Sequence, residues 1–234
     1  MKEKRLLPLV LVGLACLCVL TAGLRAQAPR VNIPNPGVPQ ITTLEGNFTR
    51  VAYNNEAYTI IGYQLAQRSI GEEWMLLEVG LSLRDKTPDF KLTRGAFSIE
   101  TPDGKTIPLA TITEHRQGDT RALENRSKVQ RDSINYFPPN ASRACRLGFF
   151  ADPTQRIVAY DEVTLTDQSA CVGRLYFHVP GGIMLGQHWL NVKFANSTLR
   201  VPFRIFTADE EKLVSKNFKD IKKQVEEAFK PAKK

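Results

Sequence analysis

The side chains best able to do chemistry in this 234-residue chain are two cysteines, three histidines and a run of arginines. Cys16 and Cys18 fall inside an apolar N-terminal stretch, so Cys145 and Cys171 are the pair left in the body of the chain. They have no C-x-x-C spacing and no nearby histidine, which argues against a redox or metal pair. In an oxidising compartment two such residues are expected to form one disulfide. His115, His178 and His188 are far apart and belong to neither an H-x-x-x-H nor an H-E-x-x-H pattern. The chain has no G-x-S-x-G elbow and no phosphate-binding glycine loop. No catalytic residue, cofactor or metal site is therefore expected.

The arginines point to recognition. Between Glu114 and Ala141, Arg116, Arg121, Arg126, Lys128 and Arg131 are interspersed with Glu114, Asp119, Glu124 and Asp132, and Tyr136-Phe137-Pro138-Pro139 follows. A polar connection of this length is functional or disordered more often than it is idle. One reading is a salt-bridged exposed helix over Ala122 to Arg131, anchored by its aromatic residues. The other is a recognition loop, because Arg and Tyr are enriched at interfaces. Arg116, Arg121, Arg126, Arg131 and Tyr136 are its candidate contact residues.

A second candidate surface lies at the C-terminus. Thr207 and Glu210 have the spacing of a capping box, and Val214, Phe218, Ile221, Val225 and Ala228 recur at steps of four and three. That pattern predicts one amphipathic helix of about four turns, starting at Thr207. Its stripe has three possible fates: packing on the domain, pairing with a second copy as a short coiled coil, or lying on an anionic membrane. Phe218, Ile221 and Val225 are the candidate partner residues. Acidic residues among the lysines weaken the membrane reading.

Strands must position both surfaces. Met75, Leu77, Val79, Leu81 and Leu83 alternate with Leu76, Glu78, Gly80, Ser82 and Arg84, which predicts a half-buried strand from Trp74 to Arg84. Further strands are expected over 58–65, 96–101, 107–112, 146–150, 162–165, 171–179, 189–194 and 199–205. Pro102-Asp103-Gly104 and Ala195-Asn196-Ser197 mark turns. His178 and His188 are expected to point outward, with His115 solvated on a loop. Pro202 cannot donate to a ladder, so its strand is expected at an edge. Many short strands with turns between them predict a mainly β protein, an immunoglobulin-like two-sheet sandwich with a polar insertion and a C-terminal amphipathic helix.

The N-terminus sets the compartment. Lys2, Lys4 and Arg5 precede the apolar run Leu6 to Leu20, and Ala26-Gln27-Ala28 supplies a small-residue cleavage site. Residues 1–28 read as a signal peptide, with an uncleaved anchor as the alternative. The domain plan is then a Pro-rich linker over 29–50, the sandwich over 51–206 with insertion 114–141, and a helix and tail over 207–234. The first 28 residues hold four of the 32 basic side chains and one of the 24 acidic ones. The modest positive excess that remains fits a solvated surface, and neither it nor export suits a nucleic-acid partner.

The run Glu73-Trp74-Met75-Leu76-Leu77-Glu78-Val79-Gly80-Leu81, then Asp89-Phe90-Lys91-Leu92 and Ile99-Glu100-Thr101-Pro102-Asp103-Gly104-Lys105, resembles the telokin-like immunoprotective extracellular domains of bacteria. Gly173-Arg174-Leu175-Tyr176-Phe177-His178-Val179-Pro180 is similar to their late G-x-x-x-F-x-V-P strand. The likeness spans about residues 58–205; the insertion and the cysteine pair depart from it. It implies an exported immunoglobulin-like fold of bacterial origin and offers no catalytic residues to carry over. The expected role is a non-catalytic envelope or periplasmic module whose partner is another envelope protein, or a second copy through the C-terminal helix. Membrane contact is expected only if the N-terminal segment stays uncut. The alternative is a small-ligand or glycan binder using Tyr176 and Trp189.

Overall fold

Strand-forming residues dominate the chain, and the computed structural model is mainly β, 38 % strand against 22 % helix. It describes residues 30–151 and 158–230. The expected signal peptide, residues 1–28, and the last residues of the tail, 231–234, lie outside the described residues. The chain divides into two compact units, Met1–Arg30 and Val31–Lys234, and the fold is that of the second.

Its strands are β1 (Ile41–Gly46), β2 (Thr49–Tyr53), β3 (Ala57–Gly62), β4 (Trp74–Leu83), β5 (Phe90–Thr93), β6 (Phe97–Glu100), β7 (Thr106–Pro108), β8 (Arg143–Leu147), β9 (Glu162–Leu165), β10 (Ser169–His178), β11 (Gly186–Lys193) and β12 (Thr198–Ile205). They form a six-stranded sheet in the order β1-β2-β3-β4-β10-β8 and a four-stranded sheet in the order β12-β11-β6-β7, with β5 and β9 as a separate pair. The two larger sheets pack in a sandwich-like arrangement. Period-two alternation puts Met75, Leu77, Val79 and Leu81 of β4 on the inner face, where Leu175 and Phe177 of β10 join them. Ile99, Leu190, Val192, Val201 and Phe203 complete the same buried cluster from the other sheet. Each of these large side chains contributes roughly 1.5–3 kcal/mol by leaving water.

The expected disulfide is present. Cys145 and Cys171 are register partners on the parallel strands β8 and β10. By the chain-entropy argument, closing a loop of this size stabilises the fold by about 3 kcal/mol.

Several expectations need correction. The linker ends at Gln40, because Ile41–Gly46 and Thr49–Tyr53 pair as a β1–β2 hairpin. Even residues 31–40 are docked: the Val31 amide donates to Gln224 Oε1, and Arg200 Nη1 donates to the Pro36 carbonyl. The strand expected over 58–65 stops at Gly62 and turns into a short helix, α1 (Gln64–Gln67). The strand expected over 107–112 ends at Pro108, since Thr111 caps a helix. The strand expected over 146–150 lies earlier, at Arg143–Leu147. Most consequential is β4, which is buried on both faces beyond Trp74.

The sheet edges are handled differently from one another. At β12 the side-chain amide of Gln40 donates to the Arg200 carbonyl and accepts the Arg200 N–H, both at 2.8 Å. Gln67 does the same for Phe206, at 2.9 and 2.8 Å. Pro202, between them, has no N–H to offer, and β12 is the edge strand its proline predicted. β7 is three residues long and ends in proline. A helix covers β1, as described below. β8 has β10 as its one strand partner among the described residues.

Candidate interaction surface

The polar insertion supplies the cover over the outer face of β4. Thr111 Oγ accepts the Glu114 N–H while Glu114 Oε2 accepts the Thr111 N–H, a capping box that starts α2 (Ile112–Gln117). A second helix, α3 (Arg121–Val129), occupies nearly the span expected from the sequence. The inner sides of both helices meet the sheet. The His115 ring lies 4.3 Å from that of Tyr176 and 4.8 Å from that of Phe150, centroid to centroid. Leu123 is buried, Arg126 grips Glu72 through two nitrogens, and Arg174 donates to the Ser127 carbonyl.

Beyond α3 the chain runs across the sheet. The Asp132 amide donates to Glu78 Oε2 at 2.6 Å, and Asp132 Oδ2 accepts the Gln64 N–H at 2.9 Å. Phe137 lies over Gly80, where a Cβ would stand 2.7 Å from its ring. Asp132 occupies the space a side chain at Gly62 would need. Tyr136 then reaches β1, donating its hydroxyl to the Glu45 carbonyl.

Two carboxyls are largely withdrawn from water beneath this cover. Burial pushes the Asp132 carboxyl up to about 6, with the nearby Glu78 adding to the shift. Glu78 is itself raised by burial, against the opposing pull of the Asp132 amide, Arg174 and Arg131. Burial lowers His115, so the imidazole is neutral at pH 7. Glu124 lies 3.6 Å from its Nε2. His115 is thus not the solvated loop residue expected; it is a helix residue packed on aromatic rings.

The five sequence candidates in the insertion divide between its two sides. Arg126 is committed to Glu72 and Ser69, and Tyr136 to Glu45. Arg116, Arg121 and Arg131 are exposed. Arg116 and Arg121 line one cavity of about 750 Å³, with His115 and Phe150 among its other walls. Neither arginine forms an ion pair among the described residues. Lys128, two turns along the same helical face from Arg121, is exposed and donates to Asn125 Oδ1. Val129 ends α3 with 92 % of its surface in water. The sequence reading named Lys128 without making it a candidate contact and passed over Val129; their spacing of seven and eight residues from Arg121 was the signal that places all three on one side of the helix.

The C-terminal candidates meet a different fate. The expected single helix is two, α4 (Ala208–Lys216) and α5 (Phe218–Ala228), divided at Asn217, with the Thr207 capping box in place. Ile221 and Val225, 4 % and 6 % exposed, pack with Leu44 of β1, and Phe218, Ile33 and Phe229 close round them. Lys222 pairs with Glu45 at 2.8 Å. The stripe thus covers the β1 edge of its own sheet, so Phe218, Ile221 and Val225 already have an intramolecular partner.

The aromatic residues expected to face a ligand are also occupied. Tyr176 is buried under His115 and Phe150, and the Arg200 guanidinium sits 4.5 Å over the Trp189 ring. His188 is fully buried against Phe203 rather than outward, while His178 stays half-buried beside Trp74. Among the described residues no group of three or more His, Cys, Asp or Glu is placed to hold a metal ion. Nor is any described helix long and apolar enough to cross a membrane. Compared with protein-family models, curated proteins and solved structures, the chain finds no match.

Proposed function

We propose that the chain is an exported, non-catalytic cell-envelope or periplasmic module on an immunoglobulin-like sandwich, binding an acidic protein partner through the outer face of its insertion. One observation carries this reading. Val129, the most exposed large apolar side chain described, stands on a helix whose other side is firmly docked, and Arg121 and Lys128 of the same helix and Arg131 just beyond its end are exposed as well. An apolar centre within a charged rim is the arrangement of interface hot spots, and arginine suits bidentate recognition of carboxylates. The Cys145–Cys171 disulfide is compatible with an oxidising compartment.

The test is crosslinking in the native cell followed by mass spectrometry, comparing wild type with Arg121→Glu/Arg131→Glu and Arg121→Lys/Arg131→Lys. The expected result is an acidic partner lost with glutamate and retained with lysine. A partner set indifferent to both variants would overturn the reading.

A groove favours ligand binding as a second reading. About 1110 Å³ in volume, it is lined by Val38, Tyr53, Asn55, Lys86, Ser197 and Phe229 among others, with Tyr53 stacked 4.9 Å from Tyr58. Its test is a melting shift in a screen of sugars and lipids.

A further inference from the structure

We infer, resting on the ligand-binding reading of the groove, that its ligand is an aliphatic carboxylate, held at its anionic end by Arg84 and Lys86 and along its apolar body by Val38, Ile41 and Phe229. The groove gathers the start of β1, the β2–β3 turn, the turn that follows β4 and the end of α5. It shares no residue with the insertion's outer face.

Arg84 is the centre of the site. Its Nη1 donates to the Tyr58 hydroxyl at 2.6 Å. Its guanidinium carbon lies 5.3 Å from the Tyr58 ring centroid and 6.0 Å from that of Tyr53. The two rings are stacked as register partners of β2 and β3. A guanidinium positioned in this way is preorganised, with little freedom left to lose when an anion arrives. What it lacks is a counter-ion: neither Arg84 nor Lys86 forms an ion pair among the described residues. The carboxylates of the groove are placed otherwise. Glu56 is buried and accepts from the Asn196 amide and the Ser197 hydroxyl, while Asp85 is exposed and pairs with neither cation.

Lys86 is a second, independent sign. It is the one non-glycine residue among those described with a positive φ, +63°. Glycine adopts that left-handed backbone freely, whereas a lysine is strained there. Departures of this kind gather where a side chain has a use. The turn is closed by the Thr87 amide on the Arg84 carbonyl, and it puts the two cations on one wall of the groove.

The remaining lining specifies the body of the ligand. Val38, Ile41 and Phe229 are half-buried and apolar. A sugar needs free donors and acceptors, but Asn54 and Ser197 are bonded to each other and to Glu56. A carboxylate matches the planar fork of Arg84, and an aliphatic chain matches the apolar wall. The sequence after Lys230, Pro-Ala-Lys-Lys, is cationic and is no match for Arg84 and Lys86.

The test titrates the disulfide-bonded full chain with decanoate, and with decylamine as the control of opposite charge, following the Tyr53 and Tyr58 ring signals by NMR. Decanoate should shift both rings and decylamine neither. Arg84→Met should weaken decanoate binding at least about tenfold, and Arg84→Lys by less. Lys86→Gly should weaken it about threefold while keeping or raising the melting temperature of the free chain, since it relieves the left-handed backbone. Lost binding is thereby read apart from lost folding. Arg121→Glu/Arg131→Glu should bind as wild type does. Rings unmoved by decanoate, equal shifts with decylamine, or equal affinity in wild type and Arg84→Met would overturn the inference. A ring shift from a sugar and none from decanoate would remove the carboxylate and keep the groove as a ligand site; no shift from either would remove both.

Discussion

The insertion and the C-terminal helices both cover the six-stranded sheet, but by different physics. α5 closes the β1 edge with Ile221 and Val225 on Leu44, an apolar contact rimmed by one ion pair, Lys222 to Glu45. The insertion covers the broad outer face largely with polar groups. Glu78 and Asp132 are taken from water beneath it, Arg126 is clamped to Glu72, and the aromatic contacts lie at Phe137 and His115. An apolar cover responds to lost packing and little to pH. A cover that takes carboxyls out of water responds to both. The comparison also separates the two surfaces by availability: α5 spends its apolar stripe on its own sheet, while α3 leaves Val129, Arg121 and Lys128 in water.

The largest effect should come from placing charge in the apolar cover. Ile221→Asp buries an unpaired carboxylate and should cost about 3–5 kcal/mol or detach α5, read as a lower denaturant midpoint with early exchange of the α5 amides. Phe137→Ala should cost about 2–3 kcal/mol by opening a cavity over Gly80, and should raise exchange in the insertion while α5 stays protected. Equal loosening of both regions by either substitution would mean that they form one cooperative unit, contrary to the comparison.

The smallest effect is the most diagnostic. The Asp132 carboxyl is raised in the folded protein to about 6, so the folded state holds the extra proton from the ordinary aspartate range up to that value. Its linkage therefore favours the folded state in acid, and this contribution is lost as pH rises through about 6. His115 is lowered by burial, so its contribution has the opposite sign: it is present above the ordinary histidine range and lost as pH falls. Asp132→Asn keeps an acceptor for the Gln64 N–H and removes the charge. It should raise the melting temperature by a few degrees at pH 7.5, change it little at pH 4, and flatten the profile between. A parallel shift at both pH values would assign Asp132 a packing role alone.

Sequence patterns revealed the elements that need no distant partner. The β4 alternation, the Thr207 cap and the cysteine pair follow from local periodicity and compartment chemistry. What escaped was set by segments far apart in the chain. Leu76, Glu78 and Gly80 read as a solvent face because nothing local announces that residues 112–142 lie over them. Gly62 and Gly80, glycines inside strands, were the available sign of a close neighbour. β1 stayed hidden beside a Pro-rich run because its Leu44 is buried under a helix at the far end of the chain. The Gln40 and Gln67 caps have no signature in composition. Among the arginines, sequence marked the right segment but could not distinguish Arg126, which grips Glu72, from Arg121, which faces water.

The most direct test of the central claim, that the insertion's outer face is the partner surface, is photo-crosslinking in the native cell. A photoreactive residue is placed at Val129 of α3 or at Leu213 of α4, each in the wild-type and the Arg121→Glu/Arg131→Glu backgrounds. Both positions are exposed, so reactivity alone does not separate them. The account predicts a discrete adduct with an acidic protein from position 129 that disappears on charge reversal, and none from position 213. An adduct confined to position 213, or one at 129 that survives charge reversal, would contradict it.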